Sequence, residues 1–405
     1  MTPEVRERLT EKLKTLDKES GIGIFPDLAR EVNVGTRFLI ISYGGTGADV
    51  LDGLKQGLKK DLVPKDYKER IRLLAIDTDK NTRTYSTTVT NPDGLKAVRE
   101  VERFEASEFF YLDNQPALNA ISHNLGAMES WVNPQLVRMI RGDRTFLDGN
   151  GASSTRQIGR ILLSPQQTID ILEAKVTHLV SELTDGNADA LRVLVISGIS
   201  GGTGSGIVID ATYLIRHFIS KMTVLKNRVK YCGFILLPPT GTSKMPIDVA
   251  KGNRNGYAAL KEIDHFMTIA YRNETYQQQF GNTTVVCPNN IFETCYLIDG
   301  QFQDVALSNP RERAKEVVRD CILDMVTSLP ADKNTVASQS VDSFMSDAAA
   351  YSSTMVSGLQ EAVAPRDANY IYCAVGHGKT LIPLSLMKAF VAASVYRKVY
   401  GLFQY

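Results

Sequence analysis

The stretch VLVISGISGGTGSGIVIDATYLI, Val193 to Ile215, carries the reading of this chain. Its first residues form an apolar, β-branched run of strand character, and its last part repeats apolar residues at helical spacing. Between them stands Gly198-Ile-Ser-Gly-Gly-Thr-Gly-Ser-Gly206, with five glycines in nine positions and a helix expected directly after it. Glycine lets backbone N–H groups turn inward and come close to phosphate oxygens. The positive end of the following helix adds about half a unit charge of attraction for an anion. Thr203 and Ser205 add hydroxyl donors, and a Cβ at Gly202 or Gly204 is expected to fill the ligand's space. A plain flexible turn explains isolated glycines, but not a cluster wedged between a buried strand and an apolar helix. Two other phosphate motifs fail on the letters. A dinucleotide-binding G-x-G-x-x-G starting at Gly202 needs glycine where Ile207 stands. A Walker loop ending in Gly378-Lys379-Thr380 needs its first glycine where Cys373 stands.

Outward from this segment, similar apolar runs recur: FLIIS at 38–42, IRLLAID at 71–77, YCGFILL at 231–237, ETCYLID at 293–299 and YIYCAV at 370–375. They are too short for buried helices and fit central parallel strands. Helical patterns lie between several of them, from Leu163, from Ile207 and over 311–329, where Val317, Cys321, Met325 and Leu329 form an apolar stripe. Strand–loop–helix alternation of this kind indicates an α/β fold, a parallel sheet wrapped on both faces by helices. Residues 1–35 read as an N-terminal helical extension, 36–310 as a nucleotide-binding domain, 311–329 as a long central helix and 330–405 as the start of a second, α+β domain. The last helical pattern is unfinished at residue 405, as expected for a piece of a longer protein.

Composition excludes several functional classes. Forty-six Lys and Arg against 45 Asp and Glu leave a formal charge of +1, without the basic excess of a nucleic-acid binder. The five cysteines contain no C-x-x-C pair, which argues against a disulfide framework or zinc knuckle and for a reducing cytoplasm. No apolar run approaches the ~20 residues of a membrane span. Glu4, Glu7, Glu11 and Asp17 interrupt the basic face of the first helix, so it reads as packing on protein rather than on a membrane. The five histidines show no metal-ligand spacing.

Ser200-Gly-Gly-Thr-Gly-Ser-Gly206 resembles the fourth nucleotide loop of the tubulin/FtsZ superfamily, GGGTG[TS]G, with Ser200 in place of the first glycine. Four further segments fall in family order. FLIISYGGTGADVLDGL resembles the first FtsZ loop, which implies that Gly44, Gly45, Thr46 and Gly47 face the α- and β-phosphates. Asp77-Thr78-Asp79 stand where FtsZ has Asn-Thr-Asp. GASSTRQIGR, 151–160, resembles GAGANPEIGR, the loop that senses the γ-phosphate, and implies that role for Ser153, Ser154, Thr155 and Arg156. ETCYLIDGQFQD resembles the tubulin strand leading to the base pocket, which brings in Asp299. The stretch from Asp79 to Gly151 is longer than in tubulin or FtsZ, so residues 85–148, with Phe109, Phe110, Tyr111 and Trp131, look like a family-specific insertion and a surface for a protein partner. The whole pattern is most similar to the divergent bacterial tubulin-like proteins.

The resemblance implies GTP or GDP with Mg²⁺ held by phosphates and water, head-to-tail self-assembly into filaments, and hydrolysis at a site shared by two subunits. Tubulin's base-reading Asn has Gly300 in its place, leaving Asn309 or Glu312 as replacements and ATP as an alternative to GTP. The FtsZ acids Asn-x-Asp-x-x-Asp after the central helix are missing from LPADKNTVASQSVDSF, where Asp332 and Asp342 are the nearest carboxylates to act in trans. The competing expectation is a nucleotide-binding scaffold or switch without turnover.

Overall fold

The strands form because β-branched and bulky apolar residues run without a polar break, which only a strand covered on both faces can bury. The structure, a computed structural model of the 405-residue chain, describes residues 31–328 together with Tyr372 and Cys373, apart from 33–35, 62–66, 68, 91–95, 124, 149–150, 185–189, 223–224, 226–228, 239–245, 271, 303–304 and 307–308. The expected helix at 1–20, the residues after 328 that would begin the second domain, and Asp332 and Asp342 lie outside the described residues, Tyr372 and Cys373 excepted.

Strand β1, Thr36–Tyr43, runs straight into helix α1, Gly44–Asp61. Strand β2, Ile71–Asp77, follows, then a hairpin of β3, Thr84–Thr90, and β4, Lys96–Glu102, and the short β5, Phe109–Tyr111. Helices α2, Asn114–His123, α3, Pro134–Gly142, α4, Arg156–Leu163, and α5, Gln166–Thr184, lead to β6, Ala190–Gly198. Helix α6, Thr203–Ser220, β7, Val229–Leu236, and α7, Pro246–Met267, come next. A hairpin of β8, Tyr276–Phe280, and β9, Thr283–Cys287, precedes β10, Thr294–Ile298, the central helix α8, Pro310–Val326, and β11, Tyr372–Cys373.

Among the described residues, seven strands form one sheet in the order β11-β10-β7-β6-β1-β2-β5, and every neighbouring pair is parallel. Alternate residues of β1 divide the core. Phe38 and Ile40 pack with Leu51 and Leu54 of α1 and Val318 and Ile322 of α8. Leu39 and Ile41 face the other layer, with Ile161 of α4, Val176 of α5 and Leu214 of α6.

Part of 85–148, the stretch read as an insertion with a partner surface, belongs to the main sheet and its core. β5 pairs with β2, Ala75 opposite Phe109, and so extends the main sheet. Phe109 and Phe110 are buried, and Ile121, Val137 and Ile140 from α2 and α3 join the same core. Trp131 is half-buried under the Arg160 guanidinium, 4.2 Å from its ring centroid. These apolar side chains are spent on packing. Two boundaries also move: α6 begins inside the glycine cluster at Thr203, and α8 ends at Val326 rather than 329.

Candidate functional site

β2 and β6 lie on opposite sides of β1, so the chain reverses its order of strand addition there and opens a crevice at the strands' carboxyl ends. Both glycine clusters sit in that crevice. Gly44 turns out of β1 with φ +71°, the left-handed region, and α1 starts on the spot. Gly198 ends β6, and α6 starts at Thr203. The first-turn N–H groups of both helices lack intrahelical acceptors, so two positive helix ends open onto one space. That space is a cleft of about 430 Å³ lined by Gly44, Gly45, Thr46, Gly201, Gly202, Thr203 and Gly204, and by Asp77, Asp79 and Gly151.

The glycines divide by what a Cβ would meet. At Gly204 it would lie 2.3 Å from the Gly198 carbonyl, and at Gly202 2.6 Å from the Thr155 nitrogen. Both positions line the cleft and also let loops approach one another, so an added Cβ meets protein atoms first. Gly47 and Gly206 do the same, against the Ile196 carbonyl at 2.8 Å and the Arg156 carbonyl at 2.3 Å. At Gly201 a Cβ meets nothing within 4 Å, and at Gly45 only Asp77 Oδ2 at 3.8 Å. Gly45 and Gly201 are the positions whose missing side chain leaves the cleft open.

The second loop is held by its own first acid. Asp77, 3% exposed, accepts from the Thr78 amide at 2.7 Å and from Thr82 Oγ1 at 2.7 Å. Burial raises its pKa, against the lowering effect of the hydrogen bonds from Thr82 and Thr78. The hydroxyls of Thr78 and Thr203 share a hydrogen bond of 2.6 Å, which stitches this loop to the fourth. Asp79 caps the following turn through the Asn81 amide at 2.9 Å and is half-exposed in the cleft. It is therefore the carboxylate of this loop most open to a ligand or its cation.

In the third loop Ser153 and Ser154 both adopt left-handed backbone, φ 46° and 53°. Helix α7 holds them there. Lys251 Nζ donates to the Ser153 carbonyl at 2.7 Å, and Asn255 Nδ2 to the carbonyls of Ser154 at 2.9 Å and Ser200 at 3.0 Å. Thr155 is the N-cap residue of α4. Arg156 turns away from the cleft: Nε and Nη2 donate to the Ser205 carbonyl at 3.1 and 2.9 Å, and Nη1 to Glu262 at 3.0 Å. Its guanidinium lines a different hollow of about 520 Å³ behind the first turn of α6, together with Ser205 and Gly206. The backbone carbonyl and the carboxylate, neither visible as a partner in sequence, draw it there. Arg160 of the same segment is structural, pairing with the buried Asp210 at 2.5 Å; Tyr276 completes that site at 2.7 Å. Asp210→Ala is expected to cost about 3 kcal/mol, the low end for breaking a buried pair because Arg160 reaches solvent, read as a lower urea midpoint.

On the base side, Asp299 and Asn309 are exposed, and Asn309 holds φ 55° just before α8. A Cβ at Gly300 would lie 2.3 Å from the Pro310 carbonyl, so the start of α8 fills the space a base-reading side chain would need there. Glu312 pairs with Lys315 at 2.9 Å. None of Asp299, Asn309 and Glu312 lines the cleft. Asp49, Arg103 and Arg311 do, and sequence reasoning missed them. A basic residue in the first turn of an expected helix, where cations are usually disfavoured, was the available signal for Arg311. Among the described residues no group of three or more His, Cys, Asp or Glu is arranged to hold a metal, and no helix is long and apolar enough to cross a membrane.

A family profile described as "Tubulin like" matches residues 39–400. No curated protein sequence matches the chain. Among solved structures it is similar to CetZ from Methanosaeta thermophila strain DSM 6194, at 15% identity over 76% of this chain and 59% of that one, TM-score 0.39. It is similar to a GTPyS-form protofilament of Bacillus thuringiensis serovar israelensis TubZ, at 15% identity over 80% and 63%, TM-score 0.43. An empty FtsZ dimer of M. jannaschii is similar at 12% identity over 85% and 65%, TM-score 0.38. The chain thus spans less than two thirds of the length of each of these structures.

Proposed function

The chain belongs to the tubulin-like family, and from that premise we propose that it binds GTP or GDP with Mg²⁺ in the cleft between its glycine loops and assembles head to tail into filaments in the cytoplasm. One observation carries the reading: two helix N-termini converge on a space that Gly45 and Gly201 leave open. Backbone N–H groups there suit phosphate oxygens, and half-exposed Asp79 suits a hydrated cation on those phosphates. Bound Mg²⁺ supplies neutralisation of phosphate charge. The chain's own part is orientation: the Thr78–Thr203 hydroxyl pair and buried Asp77 fix the loops, and α7 fixes Ser153 and Ser154 through their carbonyls.

Hydrolysis is proposed to require a neighbouring subunit, whose Asp332 or Asp342 positions the attacking water. The missing Asn-x-Asp-x-x-Asp pattern favours a second reading, a nucleotide-binding scaffold or switch that recruits a partner without turnover. Phosphate release and light scattering, followed together over a range of protein concentrations with GTP, separate the two. Assembly with turnover that rises more steeply than linearly supports the filament reading. Retained nucleotide without scattering or phosphate supports the scaffold. Chromatography of the nucleotide released on denaturing tests the base, since a purified protein that carries adenine nucleotide overturns guanine. A chain that neither carries nor takes up any nucleotide overturns the site.

A further inference from the structure

The cleft is lined by two guanidinium groups whose partners differ. Arg103 donates to Asp49 at 2.8 Å and to Asp52 at 3.1 Å, so its charge is spent on α1. One turn beyond Arg311 on α8, Lys315 is spent likewise, on Asp49 at 2.6 Å and Glu312 at 2.9 Å. Burial alone would raise the pKa of Asp49, but the hydrogen bonds from Lys315 and Arg103 outweigh it and hold that carboxyl below its usual range. Arg156, the cation the sequence pattern nominates for a phosphate, is neutralised by Glu262 outside the cleft.

Arg311 alone of these is not matched to a carboxylate among the described residues. Its Nη2 donates to a neutral hydroxyl, Thr46 Oγ1, at 2.9 Å, in the first turn of α1. The group is half-buried and lines the cleft beside the two helix N-termini. A guanidinium in this state favours an anion, and its planar fork of donors matches two phosphate oxygens better than a hydroxyl.

We infer that Arg311 is the cation this site supplies to the phosphate chain of its ligand, replacing its bond to Thr46 when the cleft fills. Because Arg311 grows from α8, the same contact ties the central helix to occupancy of the cleft. The inference rests on the nucleotide reading above.

The test is titration of GTP, ATP and inorganic triphosphate into the full chain and into Arg311→Gln and Arg311→Lys. Glutamine keeps a donor for Thr46 and drops the charge, and lysine keeps the charge without the fork. Thermal melting of each variant establishes that it is folded. Arg311→Gln should weaken every phosphate ligand that the unaltered chain binds by about tenfold or more, the loss of a charge-assisted contact, with Arg311→Lys in between. The salt dependence of binding should fall with it. Unchanged affinity in folded Arg311→Gln overturns the inference and leaves the nucleotide site standing. So does a loss confined to the preference between GTP and ATP, which would make Arg311 a reader of the base. No binding by the unaltered chain overturns the nucleotide reading itself, and this inference with it.

Discussion

Gly201→Ala is expected to melt where the unaltered chain melts and to lose nucleotide affinity by about a hundredfold, the upper end of what a misplaced methyl costs in a close-packed site. Gly201 lines the cleft, and a Cβ there meets no protein atom within 4 Å. The fold therefore has nothing to lose, while the ligand loses its closest approach to the backbone at the entry to α6. Gly45→Ala is the matching change on the first loop, where the new methyl reaches only Asp77 Oδ2 at an ordinary 3.8 Å. Thermal melting and GTP titration on the same samples check both. Either variant binding GTP as well as the unaltered chain would sink the assignment of the cleft.

That prediction moves the ligand-blocking Cβ from Gly202 and Gly204, where the sequence places it, to Gly201 and Gly45, and the reason marks how far sequence reading reaches. The parallel strands, the helices on both faces of the sheet, and the glycine clusters at the starts of α1 and α6 were all legible. Each depends on local pattern and on the rule that parallel strands need crossovers. What a given glycine faces is not local. Gly202 is glycine because Ala152 and Thr155, some fifty residues earlier, pack on it, and Gly206 because of the Arg156 backbone. Arg156 illustrates the same limit. Its place in the motif is right for a phosphate, but Glu262, on a helix more than a hundred residues away, takes its charge. The burial of Phe109 and Phe110 was hidden for a related reason. A strand of only three residues, Phe109–Tyr111, is too short to announce itself by periodicity, yet it closes one edge of the sheet.

Gly204→Ala is expected to fail in the opposite manner, by destabilising the fold by about 3 kcal/mol, the top of the range for overpacking a dense interior. The added methyl would stand 2.3 Å from the Gly198 carbonyl, 2.9 Å from Ser197 Oγ and 3.1 Å from the Tyr43 carbonyl. Two of these are backbone atoms at the ends of β1 and of β6, the sheet's central strand, so no side-chain rotation relieves the clash. Gly44 presses on the same point from the first loop: its own Cβ would lie 2.9 Å from the Gly204 amide nitrogen, at a φ that already excludes most side chains. Urea denaturation should give Gly204→Ala a lower midpoint at an unchanged slope, because the surface exposed on unfolding is the same. An unaltered midpoint would mean that the two loops do not pack as described. The pairing of the two experiments is what separates scaffold from site. In Gly204→Ala binding should fall together with stability, since a displaced α6 start disturbs the loop it begins, whereas in Gly201→Ala binding should fall alone.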